Sequence, residues 1–299
     1  MTAGVRPFVD APAGPPGVTG PAAAVAAERW GLASPVLVRT GMNAIYVAED
    51  VVLRVAATTA PAEAALELAA VLTAAGVRVP AARRPDVVRH GRLSVTAWER
   101  LHPAVGADDW RAVGAMVRRV HELADDELPT AYPRPPAAAF PWWQFETLLT
   151  AVSDELDGAA RSGLETAIDR HRWWTAAESP LTTCHGDVHP GNVMATVAGP
   201  VLLDWDLLCR APAAWDHAML VRAERWAGCD PAWYDAFAAG YGWCGRDDPL
   251  LAAISELRLA AATLMRLVAG RADPAATVEA RRRLAYWRGD PDAPRWTAV

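Results

Sequence analysis

Apolar positions alternate early in the chain and recur at helical spacing later. Val36–Arg39, Ala44–Ala48 and Val51–Ala56 have the alternation of strands, with turns at Gly41-Met42-Asn43 and Glu49-Asp50 between them. Asp86–His90 and Arg92–Trp98 form a second alternating pair around Gly91. Pro21–Trp30, closed by Gly31, and Pro61–Ala75, closed by Gly76, read as helices with proline at the start and glycine past the end. From Asp108 to Leu123, Trp110, Val113, Met116, Val117 and Val120 share one helical face, and Arg111, Arg118 and Arg119 lie off it. Pro129–Pro141 is a proline-dense loop. Trp142–Thr150, Ser153–Ala177, Ala213–Trp226, Asp230–Tyr241, Pro249–Gly270 and Asp273–Trp287 are further predicted helices. Strands first and helices after predict an α+β fold.

The helical part is interrupted once, between Cys184 and Asp206. The stretch begins Cys-His-Gly-Asp-Val-His-Pro-Gly-Asn-Val-Met and ends Pro-Val-Leu-Leu-Asp-Trp-Asp. Val193–Thr196 and Val201–Leu203 read as two strands of a hairpin around Gly199-Pro200. A hairpin returns its ends to one place, which would let the amide oxygen of Asn192 and the carboxylate of Asp204 face one metal cluster. Magnesium takes such hard oxygen ligands and is usually held by one or two of them together with nucleotide phosphates. Asp187, five residues before Asn192, would then lie beside an incoming hydroxyl to accept or orient its proton. Pro190-Gly191 supplies the bend that turns acid and amide toward one pocket. The same residues admit another reading, because His185, Asp187 and His189 alternate as three zinc ligands on one strand face would. The proline directly afterwards and the lack of a second His cluster downstream weigh against a zinc hydrolase.

Composition narrows the class. With 299 residues and 52% hydrophobic content the chain can bury the core of one large two-lobed domain. A net charge of -6 argues against a general nucleic-acid binder. No apolar run reaches the roughly 20 residues of a membrane helix, and no apolar leader follows Arg6, so neither membrane nor secretion is expected. Cys184, Cys209, Cys229 and Cys244 have no CxxC spacing and read as reduced thiols of a cytoplasmic protein. Residues 1–20, rich in Pro and Gly, are expected to form a flexible lead. All 29 basic residues are Arg, so a site that ordinarily uses Lys must use a guanidinium here.

His185-Gly186-Asp187-Val188-His189-Pro190-Gly191-Asn192 followed by Leu203-Asp204-Trp205-Asp206 resembles the catalytic and metal-binding segments of the aminoglycoside phosphotransferase and choline kinase group. The resemblance implies a protein-kinase-like fold: an antiparallel-sheet N-lobe with one main helix over residues 21–98, and a mostly helical C-lobe over 99–299. It implies a small-molecule kinase using ATP or GTP with Mg²⁺, Asp187 as base and Asn192 and Asp204 as metal ligands. Its acceptor would be a hydroxyl of an aminoglycoside-like antibiotic or other metabolite.

Further roles follow from the same resemblance. The Gly41–Asn43 turn would lie over the nucleotide phosphates, Arg54 on the third strand would grip them, and Glu67, or else Glu63, would orient Arg54. Backbone groups at Glu99–Leu101 would meet the nucleobase edge, and Asp216 would brace the catalytic loop. His185, His189 and Asp206 are expected in supporting positions. Because Arg54 stands where such kinases carry Lys, a nucleotide-binding pseudokinase is the alternative. Nothing in the residues selects the acceptor.

Overall fold

The alternating runs pair as antiparallel neighbours. β1 (Val36–Thr40), β2 (Ala44–Ala48), β3 (Val51–Ala57), β4 (Val88–His90) and β5 (Leu93–Glu99) form one sheet in the order β1-β2-β3-β5-β4. The computed structural model in which they are seen describes residues 12–57, 61–104, 106, 109–176, 179–271 and 273–297. In β2 and β3 every second residue is buried, as period-two patterning requires. The buried set, including Tyr46, Leu53 and Val55, packs with Val95 of β5 against the alanines of helix α1 (Pro16–Arg29) in one core. Arg54 therefore lies on the opposite sheet face from Leu53 and Val55, paired in register with Ile45 of β2 and Thr96 of β5. Helix α2 (Ala62–Ala74) follows β3.

Helix α1 begins at Pro16, before the Pro21 expected. The Ala13 N–H donates to the Met42 carbonyl at 2.9 Å, and Ala13 and Thr19 are buried. The flexible lead expected over residues 1–20 thus does not reach Gly20. Its residues 1–11 lie outside the described residues.

The chain divides into two compact units that interleave in sequence rather than at one cut after Trp98. The first takes Met1–Asp108, Glu122–Arg134 and Val193–Leu207; the second takes Asp109–His121, Pro135–Asn192 and Leu208–Val299. The second unit is built from α3 (Trp110–Glu122), α4 (Phe145–Ala151), α5 (Gly158–His171), α6 (Ala214–His217), α7 (Ala232–Tyr241), α8 (Pro249–Gly270) and α9 (Pro274–Trp287). α8 is its spine: Asp248 caps it, accepting from the Leu250 N–H at 2.7 Å, and Ile254, Leu257 and Leu264 are fully buried along it. α3 reaches α7 at Gly114, where a Cβ would fall 2.0 Å from the Phe237 carbonyl oxygen.

Two small sheets complete the molecule. β6 (Thr182–Cys184) pairs with β9 (Cys209–Ala211) in the second unit, and β7 (Val193–Thr196) with β8 (Gly199–Leu202) in the first. The predicted hairpin is thus present, but its turn falls at Val197-Ala198, since Gly199 and Pro200 pair with Thr196 and Ala195 inside β8; the three-residue β6 and β9 are too short for alternation to reveal. The long helix expected over Ala213–Trp226 is instead α6 and a 3₁₀ turn, Leu220–Arg225, interrupted by the non-helical backbone of Arg222. Among the described residues no helix is long and apolar enough to cross a membrane.

Candidate active site

In the second unit the loop after β6 is held almost entirely through its backbone. Asp216, on α6, is fully buried and accepts the His185 N–H on Oδ2 and the Gly186 N–H on Oδ1, both at 2.8 Å. His121 Nε2 donates to the same carboxylate at 3.0 Å. Burial alone would raise the Asp216 pKa, but the His121 hydrogen bond and charge, with the His185 charge and the Gly186 N–H, hold it below its ordinary value. The Gly186 carbonyl accepts from Trp215 Nε1 at 3.0 Å and from Arg258 Nη1 at 2.8 Å. With its amides and carbonyl so engaged, the loop presents the Asp187 side chain in one orientation.

Asp187 itself is clamped from three sides. Arg258 Nη2 donates to Oδ1 at 2.9 Å, while Asn192 Nδ2 at 3.2 Å and His189 Nε2 at 3.3 Å donate to Oδ2. Gly191 donates its N–H to His189 Nδ1 at 3.0 Å, which leaves the ring proton on Nε2 for Asp187. A Cβ at Gly191 would come within 2.7 Å of that ring, so the glycine following Pro190 is required by this contact. Asn192 Nδ2 also donates to the Asp187 carbonyl at 2.9 Å. Its Oδ1 therefore remains as an acceptor with no donor among the described residues. Burial pushes the Asp187 carboxyl up. The His189 hydrogen bond, together with the Arg258 charge, outweighs it and holds Asp187 far below the usual carboxylate range. The group is ionised and weakly basic.

The first unit carries the second polar cluster. Arg54 Nη2 lies 2.5 Å from both oxygens of Asp206, and Asn43 Nδ2 donates to Asp206 Oδ2 at 2.8 Å. Burial works against the Arg54 charge, but Asp206, Tyr132 and Asp204 overcome it and raise its pKa further. Asp204 is exposed and takes φ +60°, a left-handed conformation that costs an L residue energy. Arg54, Asp206, Tyr132 and Ser94 line a small pocket with Ala62 and Ala65 of α2.

The structure corrects the expected partner of Arg54. It is Asp206 and not Glu67, which is exposed, while Glu63 pairs with Arg89 at 2.7 Å. Gly41 forms the expected turn, donating its N–H to the Asn43 carbonyl at 3.1 Å. Glu99 bonds both ways to Ala81, through its N–H at 2.8 Å and its Oε1 at 3.0 Å. Leu101 is half-buried, with no backbone hydrogen bond among the described residues. The zinc reading is not supported: His121, Cys184 and Asp216 are the one grouping of potential metal ligands among the described residues, it includes neither His185, Asp187 nor His189, and Asp216 there already accepts three hydrogen bonds. Four acids of the second unit serve local structure. Asp235 pairs with Arg246, Glu256 with Arg222, and Asp230 and Asp248 accept backbone amides.

Arg258 and Trp215 belong to no motif, and sequence reasoning passed over both. A signal existed, because Arg258 interrupts the buried stripe of α8 at helical spacing from Leu251, Ile254 and Ala261. Its guanidinium lies 5.1 Å over the Trp215 ring, and Trp143 and Trp174 pack behind that ring. Trp143 and Trp174 are therefore buried support for Arg258.

The model of the phosphotransferase enzyme family matches residues 36–257. Spectinomycin phosphotransferase in complex with ADP and spectinomycin is similar at a TM-score of 0.63 and 15% identity, over 88% of this chain and 91% of that one. The GDP complex of aminoglycoside 2′-phosphotransferase-IIIa is similar at 0.69 and 12%, over 88% and 96%. The macrolide 2′-phosphotransferase from Brachybacterium faecium is similar at 0.55 and 19%, over 87% and 97%. These likenesses show the kinase-like α+β fold. No curated protein matches the sequence.

Proposed function

The chain belongs to the phosphotransferase enzyme family, and on that premise we propose that it moves the γ-phosphoryl group of ATP or GTP to a hydroxyl of a small molecule, an aminoglycoside-like antibiotic being the first class to test. The observation that carries this reading is the ionised Asp187 carboxylate, clamped by Arg258, Asn192 and His189 on a loop fixed by Asp216. Asp187 takes the acceptor hydroxyl as hydrogen-bond donor. As the acceptor oxygen forms its bond to the γ-phosphorus, the bond to the bridging oxygen breaks, the nucleoside diphosphate leaves and the hydroxyl proton passes to Asp187. A carboxylate held at so low a pKa is a weak base, so it orients the hydroxyl and takes the proton late, which suits a loose transfer transition state.

The residues fit magnesium. Asn192 has a side-chain oxygen left over by its own hydrogen bonds, and Asp204 presents an exposed carboxylate, the hard oxygen donors such an ion takes. Asn192 and Asp204 would hold Mg²⁺, which when bound neutralises charge on the phosphates. Arg54 grips those phosphates, the Gly41–Asn43 turn covers them, and the backbone groups of Leu101, beside Glu99, meet the nucleobase edge.

The test is a panel of aminoglycosides, other antibiotics, amino alcohols and sugars incubated with ATP or GTP and Mg²⁺ and read by mass spectrometry. One acceptor class should gain a single phosphate, and chelation should stop the gain. Folded protein that binds nucleotide yet phosphorylates no acceptor would leave the pseudokinase reading in its place.

A further inference from the structure

We infer that Asp206 is the positioning residue for Arg54, doing from the turn after Asp204 what the resemblance expects of an acid on helix α2. The inference rests on the reading of Arg54 as the phosphate grip. Three observations carry it. Arg54 Nη2 lies 2.5 Å from both Asp206 oxygens in a pair of low exposure, 20% and 9% for the two side chains. Asp206 is itself fixed: Asn43 donates to it at 2.8 Å, and Tyr132 Oη donates at 3.0 Å to the carbonyl of the preceding Trp205. Finally, α2 lines the pocket beside Arg54 with Ala62 and Ala65, methyl groups that can accept nothing, while Glu63 is taken by Arg89 and Glu67 is exposed.

The contact uses a single guanidinium nitrogen, so the remaining N–H groups of Arg54 stay available to phosphate oxygens. Asp206 also stands two residues after Asp204, on the 3₁₀ turn Trp205–Leu207. The acid that orients the phosphate grip and the acid proposed for the metal thus move as one piece of backbone. In this chain the position of α2 does not govern Arg54.

A double-mutant cycle on nucleotide binding tests this without a known acceptor. Asp206→Asn and Arg54→Ala are made singly and together, and the Kd for ATP with Mg²⁺ is measured by calorimetry. Asp206→Asn should weaken binding about tenfold when Arg54 is present, the scale of one lost hydrogen bond to a charged group. In the Arg54→Ala background it should change Kd by less than about twofold, because an acid that acts through Arg54 has nothing left to orient. Asp206→Glu should restore part of the loss. Should Asp206→Asn lower the melting temperature too far to measure, Asn43→Ser loosens the same carboxylate and enters the same cycle. Equal losses in both backgrounds, no loss, or tighter binding each overturn the inference. So does a cycle in which Glu67→Gln, and not Asp206→Asn, couples to Arg54. Wild-type protein that binds neither ATP nor GTP with Mg²⁺ sinks the phosphotransfer reading instead.

Discussion

The loop bearing Asp187 and the cluster around Arg54 are held by opposite means. At Asp187 the support is mostly backbone: Asp216 captures two successive amides, and Trp215 and Arg258 capture the Gly186 carbonyl that follows them. At Arg54 the support is one carboxylate on one guanidinium nitrogen, with an amide side chain behind it. Backbone groups are supplied whatever the side chains, so a loop fixed through them keeps its shape while its neighbours vary. A contact between side chains is free to change partner. In this chain the guanidinium of Arg54 is held by an acid from the turn after Asp204 and by no acid of α2.

The comparison can be broken most strongly at Asp187. Asp187→Asn keeps the loop geometry, because the amides held by Asp216 are untouched, yet removes the proton acceptor. Phosphorylation of the identified acceptor should fall about 10³-fold in kcat, with nucleotide Kd within a factor of about three. A loss confined to nucleotide affinity would place the decisive group elsewhere.

Arg258→Met sharpens it next. The variant removes the guanidinium from Asp187 Oδ1, from the Gly186 carbonyl and from the face of Trp215, and keeps an unbranched apolar side chain in its place. In the wild type the depressed pKa keeps Asp187 ionised well into acid, so its protonation does not limit activity near neutrality. Without Arg258 the folded pKa moves back toward the ordinary value, and the fall of kcat/KM on acidification should begin about one pH unit higher. At neutral pH a rate loss of about tenfold is expected from poorer orientation. An acid limb that stays where it was would mean that Arg258 braces the loop without acting on the carboxylate.

The smallest effect belongs to Arg54→Lys. Both contacts to Asp206 come from one nitrogen, so an ammonium can make them as a point charge. Nucleotide Kd should move by no more than about threefold. A much larger loss would show that the phosphates need the planar fork and not only the charge.

Alternation in Val36–Ala56 and helical spacing from Trp110 onward were enough to read the sheet, the main helices and the fold class, because periodicity is a local property of a half-buried element. The order Asp187, Asn192, Asp204 was likewise legible, since those residues are close in sequence and joined by a recognisable bend. What the chain order could not reveal are contacts between distant positions. Arg54 meets Asp206 across more than a hundred and fifty residues, and Asp187 meets Arg258 across about seventy. Glu67 looked like the partner of Arg54 because the resemblance implies an acid on α2, but it does not say which face of this helix turns toward the sheet. That face is chosen by burial, which puts Ala62 and Ala65 inside and leaves both acids to solvent. The sequence by itself thus determined the fold class and the order in which Asp187, Asn192 and Asp204 follow one another. Only tertiary packing decided which charge holds which, since the burial that makes such pairs strong exists only once the chain has folded.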